Sequence, residues 1–213
     1  MEWIVWTIGA VACIFFGIPL IKYILSRLWV YIRLWGLRIT KRAFVVFRHP
    51  FSLWAFHRSK YADIMVVCGR KGYLIKFGGS FKRGTRIEAD TPTAWRFRRY
   101  WRSVGPLSAP MITEVFVRTK TMPFDLAKDT VMLKSKIHAD VLLDDISAVY
   151  MLTPKPLSIV ANDGKRRELS NGDSFFGMTL YTAKRFFKVC RGHSPESLSK
   201  EEKRIIKESF RKL

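Results

Sequence analysis

Cysteine, histidine and acid are scarce in this sequence. Its 213 residues hold 3 cysteines and 4 histidines, and 17 acidic residues stand against 38 lysines and arginines. Cys13, Cys68 and Cys190 are odd in number and none sits in C-x-x-C spacing, which argues against a disulfide-stapled module. His49, His57, His138 and His193 show neither i,i+4 pairing nor an H-E-x-x-H run, and none lies at a zinc-binding interval from a cysteine. No G-x-S-x-G elbow, Walker loop or dinucleotide fingerprint occurs. Gly78-Gly79 with Lys82, Arg83 and Gly84 lacks phosphate-loop spacing and reads as a flexible hairpin. Asp144-Asp145 is the one tempting carboxylate pair. Neighbours on a strand point to opposite faces, so it reads as a turn or edge. No catalytic residue, cofactor, metal or small-molecule substrate is therefore expected.

What the chain does have is apolar surface and positive charge. Hydrophobic residues make up 48%, enough for a core, and the net charge is +21. A mean hydropathy of +0.01 beside that charge implies that the two properties are segregated along the chain. Trp3–Ile21 runs for nineteen residues without a charge, roughly 28 Å as a helix, and reads as a transmembrane anchor with Pro19 as a kink point. Trp3, Trp6 and Tyr23 suit the two interfaces. Lys22, Arg27, Arg33, Arg38, Lys41 and Arg42 then form a basic collar on one side. The positive-inside rule places the amino terminus outside and the remainder in the cytoplasm or an equivalent compartment. The absence of an N-x-S/T sequon agrees.

Four regions follow from this reading. Residues 1–21 form the single-pass anchor, and 22–60 a basic amphipathic juxtamembrane region with Trp29, Tyr31 and Trp35 at headgroup level. Residues 61–193 form a β-rich domain facing the cytoplasm, and 194–213 a C-terminal helix. The expected fold is α+β, mostly antiparallel. Asp63–Cys68 and Tyr73–Phe77 flank a Gly69–Gly72 turn, Thr130–His138 alternates like a strand, and Asn162-Asp163-Gly164 closes a second hairpin. Phe176, Leu180, Ala183, Phe187 and Cys190 mark an amphipathic helix, and Ser199 with Glu202 predicts a capping box. Short strands closed by a helix over Thr119–Arg191 resemble, in pattern alone, a pleckstrin-homology-like or GRAM-like module.

Charge then points to partners. Up to Ser103 there are 19 basic and 4 acidic residues, so most of the surplus lies in the first half. Its densest knot is WRFRRYWR: Trp95, Arg96, Phe97, Arg98, Arg99, Tyr100, Trp101 and Arg102. On a strand, Trp95, Phe97 and Trp101 share one face and Arg96, Arg98 and Arg102 the other. These residue types suit anionic lipid headgroups, a protein interface or nucleic acid. The expected function is a non-catalytic tether or accessory subunit that holds a partner or complex at the membrane, alongside other membrane-complex subunits. The alternative is a membrane-anchored nucleic-acid-binding protein, and an enzyme with a site invisible to sequence stands third.

Overall fold

Apolar residues at consecutive rather than alternate positions are the signature of strands buried on both faces. Ile64–Cys68 (β2) and most of Asp145–Leu152 (β7) have that character, and both lie inside a six-stranded sheet. The structure, a computed structural model, describes residues 18–48, 61–78, 85–103, 111–121, 125–137, 141, 143–152 and 158–213. The first sheet runs β1-β2-β3-β7-β11-β10, with β1 Phe44–Phe47, β3 Lys71–Gly78, β10 Ser174–Phe175 and β11 Met178–Thr182. The second runs β6-β5-β4-β8-β9, with β4 Thr85–Ala89, β5 Ala94–Ser103, β6 Met111–Thr121, β8 Ser158–Asn162 and β9 Arg166–Glu168.

Two hydrophobic layers lie on opposite faces of the first sheet. On one face, α1 (Ile18–Ile39) contributes Val30, Leu34 and Leu37, and α3 (Ala183–Gly192) contributes Phe186, Phe187 and Cys190. They cover Ile64, Val66, Ile75 and Val149. On the other face, Met65, Val67, Leu74 and Tyr150 meet Ile87 and Trp95 of the second sheet. Leu133 and Ile137 of α2 (Leu126–Ile137) and Ile206 and Phe210 of α4 (Lys200–Arg211) complete that layer.

Several local expectations are met. The β2–β3 hairpin turns at Gly69, whose φ of +59° favours glycine, and β8–β9 turns through Gly164 at φ +100°. The α4 capping box is complete: Ser199 Oγ accepts from the Glu202 amide at 3.1 Å, and Glu202 accepts from the Ser199 amide at 2.7 Å.

Other expectations are corrected. The sheets are mixed: most pairings of the described strands are antiparallel, but β3 and β11 both run parallel to β7, and β4 runs parallel to β8. Thr130–His138 does not form a strand. Residues up to Ile137 belong to α2, where Leu126, Thr130, Leu133 and Ile137 repeat at four- and three-residue steps and Val131 is exposed. An alternation count begun at Thr130 omits Leu126 and so misses the helical period. The amphipathic helix begins only at Ala183, because Met178–Thr182 is drawn into the parallel pairing with β7.

The transmembrane expectation is corrected as well. Among the described residues, no helix is long and apolar enough to cross a membrane. This overturns the single-pass fold and the amino-terminus-out placement. Residues 3–17 of the expected anchor lie outside the described residues; its last four, Ile18–Ile21, begin α1. At 22 residues, α1 would reach roughly 33 Å, but Lys22, Arg27, Arg33 and Arg38 recur along it. It lies on the first sheet instead. Arg27 is buried there, its guanidinium 4.5 Å from the centre of the Phe77 ring.

Candidate docking surface

The expected docking patch sits on β5, and its strand alternation divides it in two. Trp95 is fully buried, 4.9 Å from the Tyr150 ring, and Phe97 packs against the same core. Arg96 and Arg98 emerge on the outer face of the second sheet. There Arg96 makes a bidentate pair with Asp90, Nε to Oδ2 at 2.6 Å and Nη2 to Oδ1 at 2.7 Å. These bonds hold the Asp90 carboxyl below the usual range, helped by a 2.6 Å bond from Asn162.

Glu88 is the centre of this face. Its side chain is only 4% exposed, yet four arginines surround it. Arg98 Nε reaches Oε2 at 2.9 Å and Arg166 Nη2 reaches Oε1 at 2.8 Å, while Arg86 and Arg96 stand at 3.8 Å. A buried carboxylate satisfied by this many cations is a structural hub. The side chains of Arg99, Tyr100, Trp101 and Arg102 lie outside the described residues, although their backbone continues β5 past a register shift between Arg99 and Tyr100.

The basic collar is distributed differently. Arg27 belongs to the core, whereas Arg33, Arg38, Lys41 and Arg42 are exposed at the carboxyl end of α1 and just beyond it. The side chain of Lys22 is outside the described residues. Between these cations runs a feature that composition did not reveal. Ile21, Leu25, Leu28, Ile32, Trp35 and Ile39 are all exposed, from 44% to 68%, and succeed one another at alternating four- and three-residue steps. That spacing places them in one stripe along the helix. Trp29 extends it, with the Arg33 guanidinium 5.5 Å from its ring centre. α1 is thus apolar on the face it turns to the sheet and apolar on the opposite face. A helix of this kind is normally covered on both sides.

Two grooves flank α1. One, of about 680 Å³, is lined by Trp29, Ile32 and Arg33 of α1 and by Phe187 and Arg191 of α3. The other, of about 520 Å³, lies between α1, β1 and α4.

Elsewhere, charged groups serve the fold. Lys76 Nζ bonds Asp63 at 3.0 Å and the Tyr61 carbonyl at 2.9 Å, and Asp63 also accepts from the Phe77 amide. Burial pushes the Asp63 and Asp129 carboxyls up, with Asp129 accepting the Ala62 amide at 3.0 Å. Cys68 and Cys190 are buried, and the neighbouring Cys68 thiol, together with burial, pushes the Cys190 thiol up, away from the reactive thiolate. His193 accepts or donates at 2.7 Å to the Tyr73 hydroxyl. Among the described residues, no three metal-ligating side chains converge. Asp144 and Asp145 are exposed; Asp145 bonds Lys134 at 2.8 Å and the Ser147 hydroxyl at 2.9 Å.

No protein-family model matches the chain, and no curated protein or solved structure is significantly similar to it.

Proposed function

We propose that the protein is a non-catalytic accessory subunit that binds a partner protein along the exposed face of α1. The observation that carries this reading is the six-residue stripe from Ile21 to Ile39. Leaving seven large apolar side chains of one helix in water is costly, since burying each contributes about 1.5–3 kcal/mol. The alternating four- and three-residue steps match the seam that one helix offers another. The flanking Arg33, Arg38, Lys41 and Arg42 favour a partner helix with acidic margins. They also disfavour pairing of two copies, each carrying +21.

Photo-crosslinking in cells tests this. A photoreactive residue at Leu28 should trap one discrete protein in stoichiometric yield. Ile32→Asp, at a position 59% exposed and thus compatible with folding, should abolish the product. Crosslinking mainly to lipid, to nucleic acid or to a second copy overturns the reading.

A further inference from the structure

The groove on the other side of α1 points to the chemistry of what docks there. All four β1 residues, Phe44, Val45, Val46 and Phe47, line it. Successive strand residues face opposite sides of a sheet, so a groove that touches all four must run along the strand's edge. Among the described residues, β1 is the first strand of its sheet and pairs only with β2, leaving outward-facing N–H and C=O groups. No backbone hydrogen bond to these outward groups is present among the described residues.

The walls of the groove are unequal. α1 contributes Tyr31 and Arg38 on one side, and α4 contributes Lys200, Lys203, Arg204, Lys207 and Arg211 on the other. Two of these cations are matched: Lys203 bonds Glu196 and Arg204 bonds Glu201, each at 2.5 Å. Arg38, Lys200, Lys207 and Arg211 have no carboxylate within ion-pair distance among the described residues. Cations beside an open edge keep a like-charged copy from adding to it, while leaving it open to a chain of the opposite sign.

We infer that β1 accepts an extended acidic segment of a partner protein as an added strand. Its carboxylates fall at every second residue and face α4, and its apolar residues face Tyr31. This deepens the proposed accessory role and rests on it, by assigning the partner a second contact of stated chemistry. The backbone edge supplies register, and the α4 cations supply selectivity.

The probe is a short synthetic peptide of alternating Glu and Val, titrated against the 213-residue chain. Saturable binding is expected, with slowed amide exchange at Val45 and Phe47, the β1 amides that face away from β2. Affinity should fall at least tenfold with Lys200/Lys207/Arg211→Gln, all at exposed helix positions. N-methylation of alternate peptide amides should abolish binding in one phase of the alternation and spare it in the other. Four results overturn the inference: no binding, equal binding of a peptide with the same composition shuffled to helical spacing, equal binding of both methylated forms, or preference for an oligonucleotide of equal charge without protection of β1. A retained crosslink at Leu28 beside any of these would show that only the edge contact fails.

Discussion

The outer face of the second sheet and the groove beside β1 are both rich in cations, but they spend them differently. On the sheet, Arg86, Arg96, Arg98 and Arg166 converge on a Glu88 side chain that is 4% exposed, with Asp90 taking a bidentate pair from Arg96. In the groove, Lys200, Lys207 and Arg211 stand along one helix face with no carboxylate in reach among the described residues. Density of charge along the chain therefore does not identify the cations available to a partner. A strand brings its arginines beside those of neighbouring strands, where one buried acid serves several. A helix spreads its lysines along a solvated ridge. Of the densest basic run, the described Arg96 and Arg98 are committed to Glu88 and Asp90, whereas the groove cations have no described carboxylate in reach.

The largest effect that sharpens this contrast is Trp95→Ala. The indole opens the basic run, but it lies wholly inside the core against Tyr150 and Phe175. Its removal should cost about 3–5 kcal/mol of stability, as for large aromatic truncations in general. Chemical denaturation measures this; a loss below about 1 kcal/mol would show that Trp95 is a surface residue available for docking after all.

Glu88→Gln comes next. It removes a buried charge that reconciles Arg86, Arg98 and Arg166. Losing one partner of a fully buried pair costs about 3–5 kcal/mol, and the partial exposure of these arginines reduces that to about 2–3 kcal/mol. The same measurement applies. An unchanged midpoint in Glu88→Gln would mean that the arginines are held apart by solvent and remain free to bind an anion, erasing the distinction between the two regions.

The contrast also explains what sequence reading could reach. Both hairpins and the α4 capping box were legible because Gly69, Gly164 and the Ser199–Glu202 pair act over three or four residues. The parallel pairing of β7 with β3 and β11 was not, because it joins segments many residues apart and leaves no turn signal. Mistaking part of α2 for a strand came from an alternation that Leu126 would have broken. In the candidate site, the alternation over Trp95–Arg98 was readable, but Glu88 and Arg166 reach it only through strand order, and no local signal marks the register shift between Arg99 and Tyr100. The α1 stripe was present in the spacing of Ile21, Leu25, Leu28, Ile32, Trp35 and Ile39. What hid it was the apolar opposite face, since Val30, Leu34 and Leu37 fill the gaps and blur the period.

The smallest effect separates the two regions most clearly. Lys200→Ala and Lys207→Ala alter exposed positions on α4, away from its buried Ile206 and Phe210. Alanine is at least as good a helix former as lysine, and neither lysine bridges a described carboxylate. Each substitution should therefore change stability by no more than about 0.5 kcal/mol, measured by the same denaturation curves. A loss of 2 kcal/mol or more, on the order expected for Glu88→Gln, would place these lysines in a structural network like that around Glu88. If stability stays level, folding does not account for these lysines beside the β1 edge. Charge that the fold does not need is then charge available to a partner.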